Sequence, residues 1–415
     1  MTPDNLAGPS GRTGRDLSRD AADGRDAAAD ERPPLIYLDN AATTCPKPPQ
    51  VARAVAEALD TFGGAGRGVH PASTRAGLAV HRCRRQVAEL LGAPDPRRVC
   101  FALNATEALN TVIAGLVGPG DRAVTTAASH NSVLRPLNRA ADERSADVAV
   151  LPVAPDGGID YAELDRLLRV PTRLLMVTHA SNLTGDVYDV ARMAEIAHAH
   201  GALVCVDAAQ TAGCYPIDMA ADRLDIVCFT GHKGLFGPQG TGGVALAPGV
   251  DVPALKEGGS GARSYDRRQP DVYPERLEAG TLNAHGIAGL AAGVSYIREQ
   301  GGPAAVHERV EALTMRLEQG VRAIAGVTVY GGHADVGRCG IVALNVGDLD
   351  SGTVADALAD GFGICVRAGA HCAPLMHEAL GTSGRGAVRL SLSALNTVEQ
   401  VDAAVGAIAE IASLG

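Results

Sequence analysis

Tryptophan is absent from this 415-residue chain, and aromatic residues make up only 3% of it. Binding single-stranded nucleic acid by base stacking needs aromatic platforms, so that mode is disfavoured. The net charge of −10 argues against the other general route to nucleic acid, a clustered positive surface. No apolar run approaches the length that spans a bilayer. The first residues lack the apolar core of a secretory signal, and their mixture of Asp and Arg fits poorly with an acid-poor transit peptide. No Gly-x-Gly-x-x-Gly follows the first predicted strand, which disfavours a dinucleotide-binding sheet. The nine cysteines (45, 83, 100, 205, 214, 228, 339, 365 and 372) show no paired zinc spacing. Cys205, Cys228 and Cys365 lie in apolar runs and read as small core residues. A reducing compartment, the cytoplasm, is the expectation.

Lysine is also scarce: the chain holds only Lys47, Lys233 and Lys256. Lys47 stands among prolines, and Lys256 lies in the loop-like run Lys-Glu-Gly-Gly-Ser-Gly. Lys233 is different. It follows the apolar run 226–229 in the turn Thr230-Gly-His-Lys233, ahead of glycines at 234, 237, 240, 242 and 243. A desolvated lysine at a buried strand end, beside hydroxyl, imidazole and glycine backbone, suits a Schiff base to pyridoxal 5′-phosphate (PLP). An ordinary polar turn in a glycine-rich loop is the plainer alternative.

What is abundant fits a sizeable core: 46% of residues are hydrophobic and 20% charged. Residues 1–34 have little to bury and read as a disordered tail. From residue 35 onward, predicted strands at 123–126, 148–153, 174–177, 203–206, 226–229 and 244–247 alternate with helical patterns, the rhythm of an α/β fold with a mainly parallel sheet. Functional residues of such sheets collect at the carboxyl ends of strands. Ser129-His-Asn131, His179-Ala-Ser-Asn182, Asp207-Ala-Ala-Gln210 and Thr230-Gly-His-Lys233 fall there. A buried carboxylate at 207 can keep a pyridine nitrogen protonated, and helix capping is its plainer role. Asn104, Thr106 and Glu107 open a helix whose N-terminus is a natural phosphate seat or a simple cap. Beyond residue 285 the pattern becomes α+β, with strands at 327–330, 341–345, 364–367 and 387–392. This reads as a smaller C-terminal domain, 286–415, beside a large domain, 35–285. Within it Cys372 follows His371 on a small-residue loop. A flexible, polar setting beside that imidazole would favour a nucleophilic thiolate; an incidental surface cysteine or a metal ligand with His371 and His377 are the alternatives.

Nine ordered motifs carry a resemblance to a known family: Tyr-Leu-Asp-Asn-Ala-Ala (37–42), Asn-Ala-Thr-Glu (104–107), Ser-His-Asn (129–131), Thr-His-Ala-Ser-Asn (178–182), Val-Asp-Ala-Ala-Gln (206–210), Thr-Gly-His-Lys (230–233), Gly-Thr-Leu-Asn (280–283), Arg-Ala-Gly-Ala-His-Cys (367–372) and Val-Arg-Leu-Ser (388–391). From residue 35 on, the chain resembles a class V aminotransferase-fold PLP enzyme (fold type I, with a seven-stranded-type sheet) of the cysteine desulfurase family. The Arg-x-Gly-x-His-Cys-Ala form is similar to its SufS-like, type II branch.

The resemblance implies a homodimer that turns L-cysteine into L-alanine, holds the sulfur on Cys372 as a persulfide and passes it to an acceptor protein. It implies that Lys233 carries PLP and moves the Cα proton, that Asp207 pairs with the pyridine nitrogen, that Gln210 meets the ring oxygen and that His130 stacks on the ring. Ala105, Thr106, Thr230 and His232 would hold the phosphate, with Thr281 reaching in from the other subunit. Arg389 would bind the substrate carboxylate with Asn182, while Arg367, His70, Asn40 and Ala41 line the substrate side. Ala105 stands where relatives often have a hydroxyl, and Ala370 replaces the first histidine of a His-His-Cys run. A selenocysteine lyase or other PLP-dependent C–S lyase without a persulfide is the alternative function, and a scaffold or sulfur-carrier-binding protein that has lost catalysis the alternative class.

Overall fold

Short apolar runs, flanked by turn residues, form the strands around which the chain is built. The computed structural model describes residues 35–66, 68–332 and 337–414, so the tail expected over residues 1–34 lies outside the described residues. In chain order the strands are β1 (Ile36–Tyr37), β2 (Val99–Ala102), β3 (Arg122–Thr126), β4 (Asp147–Leu151), β5 (Leu174–Thr178), β6 (Leu203–Asp207), β7 (Ile226–Thr230), β8 (Gly242–Leu246), β9 (Val327–Tyr330), β10 (Ile341–Val346), β11 (Ile364–Cys365), β12 (Arg367–Gly369) and β13 (Ala387–Ser391). The helices are α1 (Pro49–Thr61), α2 (Pro71–Leu90), α3 (Ala105–Leu116), α4 (Asn131–Arg144), α5 (Tyr161–Leu168), α6 (Val190–Ala199), α7 (Ala284–Glu299), α8 (Pro303–Arg322), α9 (Ser351–Phe362), α10 (Pro374–Ala379) and α11 (Val398–Leu414).

The central sheet has seven strands in the order β2-β8-β7-β6-β5-β3-β4. The ladders from β7 through β4 are parallel, and β8 runs antiparallel to both its neighbours. All residues of β5, β7 and β8 are buried, as expected where both faces of a sheet are covered. Gly243 shows why β8 needs glycine: a Cβ there would lie 2.4 Å from the Cys100 carbonyl oxygen.

A second, antiparallel sheet has the order β12-β13-β10-β9 and packs against α8, α9 and α11. The single strand expected over 364–367 is two. Ile364–Cys365 pairs in parallel with β1, whereas Arg367–Gly369 pairs with β13. Leu38 N–H donates to the Cys365 carbonyl and Ile36 N–H to Gly363, so the first described segment claims the backbone that periodicity alone would assign to one ladder. The strand expected over 148–153 also stops early, at Leu151, and Val153 forms only an isolated bridge with Ile159.

Residues 38–47 then cross between the two sheets. Ser391 N–H donates to the Leu38 carbonyl at 2.6 Å, and Ala41 N–H donates to Ser391 Oγ at 2.9 Å. A few residues on, Thr44 N–H donates to the His232 carbonyl at 3.1 Å. This strap ties the end of β13 to the turn after β7.

One buried ion pair holds the segment before α7. Arg84 on α2 donates to both Glu278 carboxylate oxygens, at 2.6 and 2.9 Å, and Phe101 N–H donates to Glu278 Oε1 at 2.7 Å. Removing one member of such a pair strands the other charge away from water. Glu278→Ala should therefore cost about 3–5 kcal/mol of unfolding free energy. Urea denaturation measures it, and a loss near zero would show that the segment is held by other contacts.

Candidate active site

Parallel pairing of β6 with β7 sets Asp207 opposite Cys228, so the carboxylate of β6 and the turn that follows β7 emerge at the same edge of the sheet. A cavity of about 170 Å³ opens there. Its lining brings together Ala105 and Thr106 from the start of α3, His130 before α4, Asn182, Asp207, Gln210, Thr230, His232 and Lys233. Thr178, quoted above only as part of a motif, and Ser132, which sequence reasoning did not single out, also line it. Ser132 shares a hydrogen bond of 2.7 Å with Thr106, linking the N-termini of two helices. Its only signal in the sequence is its place in the first helical turn after Ser129-His-Asn131.

Electrostatics follow from burial. Desolvation pushes the Lys233 amine down from 10.5 to about 8; Arg389 and Arg367 push the same way, and Asp207 opposes them. Burial pushes the Asp207 carboxyl up, partly offset by the Ala209 N–H bond and by Lys233. That N–H donates to Asp207 Oδ1 at 3.0 Å, so the capping role and a role in the cavity coexist. His130 falls to about 4, first through burial and then through the charge of Lys233. His232 is also brought to about 4, chiefly by burial. Both rings are neutral near pH 7. His130 Nδ1 accepts from Ser132 N–H at 3.0 Å, which leaves the proton on Nε2.

Several buried polar atoms have no partner: Thr230 Oγ1, His232 Nδ1, Asn182 Oδ1 and Arg389 Nε. Such atoms cost free energy unless a ligand or water meets them. Gln210 is already engaged, donating to the Ala41 carbonyl at 3.3 Å. Asn182 Nδ2 donates to the His371 carbonyl at 2.7 Å, and the Asn182 carbonyl accepts from Arg389 Nη1 at 2.9 Å. Arg389 lies opposite Arg367 in the β12–β13 ladder. Asn40 Nδ2 donates to the Ser391 carbonyl at 2.9 Å.

The cysteine loop is tied down rather than loose. The Cys372 carbonyl accepts from Asn131 N–H at 2.8 Å, directly beside His130. His371 and Cys372 both adopt left-handed backbone, with φ of 50° and 56°. Consecutive non-glycine residues in that region store strain that the surrounding contacts must hold. The expected help from the neighbouring imidazole is absent: burial brings His371 down to about 3, so it carries no positive charge to stabilise a thiolate. Cys372 is partly exposed and lies outside the 170 Å³ cavity lining.

Cys372, Arg367, Arg389, Asn40, Ala41, His70 and Thr281 do not line this cavity; Asn40 and Ala41 line an adjoining one with Gln210 and Lys233. His70 is exposed and caps α2, accepting from Ser73 N–H at 3.4 Å. Thr281 is exposed and lines a separate cavity of about 300 Å³ with Glu278 and Gly280. Lys47, set aside for its prolines, braces the catalytic-side turn: its half-buried ammonium donates to the His232 carbonyl at 2.6 Å and to Thr44 Oγ1. Burial lowers its pKa to about 8.

The aminotransferase class-V family matches residues 36–404. A probable cysteine desulfurase of Methanothermobacter thermautotrophicus is 36% identical over 388 residues, covering 92% of this chain and 95% of that protein. The chain belongs to the cysteine desulfurase family. Among solved structures, the apo cysteine desulfurase of Thermococcus onnurineus NA1 superposes with a TM-score of 0.83 at 31% identity, covering 92% of this chain and 95% of that one. The Escherichia coli cysteine desulfurase CsdA, described as an S-sulfonic acid form, gives 0.82 at 28% identity with the same coverage. Membership of this PLP-dependent family accounts for the fold: a seven-stranded, mostly parallel sheet with its functional edge at the strand ends.

The lowered Lys233 pKa has a signed consequence in the cofactor-free protein. The unfolded chain holds the lysine proton up to about 10.5, the folded one only to about 8. Folding therefore bears the full cost of this site below about 8, and the cost fades as pH rises towards 10.5. Lys233→Met should be more stable than the parent at pH 7, with the gap narrowing across that window. Urea unfolding at both ends tests it; a gap that ignores pH would mean the amine is not desolvated.

Proposed function

We propose that the chain is a PLP-dependent cysteine desulfurase that converts L-cysteine to L-alanine and keeps the sulfur as a Cys372 persulfide. The observation that carries this reading is the joining of two features at one place. A desolvated lysine faces a buried carboxylate across neighbouring strand ends, and a strained cysteine loop is bonded to the residues flanking them. The unpartnered Thr230 Oγ1 and His232 Nδ1, with Thr106 in the first turn of α3, fit a phosphate group. Asp207 fits a protonated ring nitrogen, which would offset the cost of burying its charge. The neutral His130 fits the flat face of a ring. Bound through Lys233, PLP supplies an electron sink for negative charge at the substrate Cα.

The protein's own groups do the rest. Lys233, titrating near neutrality, takes and returns the Cα proton. Arg389 binds the substrate carboxylate through its unpartnered Nε, with Asn182 and Arg367 beside it. The Cys372 thiolate attacks the substrate sulfur: the new S–S bond forms, the substrate C–S bond breaks, and the carbon fragment gains a proton to leave as alanine. Thiol plus cysteine thus gives persulfide plus alanine, with no external oxidant. The exposed Thr281, away from its own chain's cavity, is consistent with a homodimer in which it serves the partner's. We also propose a large PLP-binding domain at 35–285, a smaller one at 286–415 carrying the cysteine loop, transfer of the sulfur to an acceptor protein, and action in the cytoplasm. No helix among the described residues is long and apolar enough to cross a membrane.

Incubation with L-cysteine should release alanine and add one sulfur atom to the peptide containing Cys372, read by mass spectrometry. Cys372→Ser should lose both, with alanine release falling by ~10³-fold or more. Full alanine release by that variant would instead mark a lyase that needs no persulfide, including one for selenocysteine.

A further inference from the structure

Arg389 is only 1% exposed, yet it carries a charge that must find a counter-ion. Its Nη2 donates to Asp39 Oδ1 at 2.9 Å and its Nη1 to the Asn182 carbonyl at 2.9 Å, while Nε–H meets nothing. Two fixed bonds of different directions lock a planar guanidinium, and here they leave Nε as its one nitrogen without a partner. Asp39 is itself held. It forms an isolated bridge with Ser391 on the arginine's own strand, and its carbonyl accepts from Tyr37 Oη at 3.2 Å.

We propose that Asp39 is a positioning residue for substrate recognition: it orients Arg389 before substrate arrives, so that Nε–H is aimed at the incoming α-carboxylate. This rests on the reading of Arg389 as the carboxylate site given above. Asp39 makes no hydrogen bond to Lys233; it acts through the arginine, and its charge also partly opposes the lowering of the Lys233 pKa. Without it the guanidinium loses one of its two anchors and its plane is free to turn. The residue therefore selects for ligands that carry a carboxylate and is indifferent to ligands that lack one. Asparagine at this position keeps an oxygen acceptor for Nη2 and so keeps the orientation.

The test uses calorimetric titration of the PLP-loaded enzyme with two amines, L-alanine and L-alaninamide, which differ only in the carboxylate. Asp39→Ala should weaken L-alanine binding by about tenfold or more while leaving L-alaninamide unchanged, and Asp39→Asn should stay within about threefold of the parent for both. In turnover with L-cysteine, the alanine variant should raise KM with kcat nearly unchanged. The absorbance of the lysine-bound cofactor should be the same in all three proteins. Equal losses for both amines, or none for either, overturns the assignment, as does an asparagine variant no better than alanine. A parent enzyme that binds L-alanine no better than L-alaninamide overturns the carboxylate reading of Arg389 itself, and the role of Asp39 falls with it.

Discussion

Everything at the candidate site depends on burying an amine beside a carboxylate where two parallel strands end together. Burial alone would suppress the charge on both groups, lifting the acid and lowering the base. Each partner opposes the other's shift, and the lysine is left titrating near 8. That is the property a covalent lysine needs, and it comes from sheet topology: the parallel register of β6 and β7 puts Asp207 and the Thr230–Lys233 turn at one edge. An antiparallel neighbour would have sent one of them to the opposite end.

A second constraint is how charge is distributed around that amine. Lys233, Arg367 and Arg389 all crowd one region, and each lowers the pKa of at least one neighbour there. The histidines at 130, 232 and 371 are neutral through burial first and these or neighbouring charges second, whereas His179 is neutral through burial alone. Asp207 and Asp39 are the carboxylates set against the three cations. The strap at 38–47 matters because it delivers the second of these while bracing the lysine turn, with Thr43, Thr44 and Lys47 all donating to the His232 carbonyl. The cysteine loop is anchored from the other side, through Asn131 and Asn182. Its left-handed backbone at 371 and 372 persists because those two bonds hold it.

Much of this was legible in the residues. Strand-forming runs, their alternation with helices, and the polar clusters at strand ends follow from period and composition, because burial on both faces demands near-continuous apolar strands. Lysine scarcity singled out Lys233, and the Asp207 strand could be read beside it. The break between Cys365 and Arg367 could not be read, since which partner a strand takes leaves no mark on its own periodicity. Nor could the neutrality of His371: a histidine next to a cysteine looks like an activating base until its burial is known.

By itself, then, the sequence determined the α/β class and singled out the candidates for covalent lysine, acid partner and nucleophilic cysteine, because each is a matter of residue type at a recognisable place along the chain. Only the tertiary structure decided which of them share a cavity, that Lys47 braces the turn rather than floating between prolines, that Cys372, His70 and Thr281 do not line that cavity, and that Asp39 is the counter-ion of Arg389. Those facts depend on contacts between residues as far as 350 positions apart, and on how much water each group has lost. Neither quantity is written locally in a sequence.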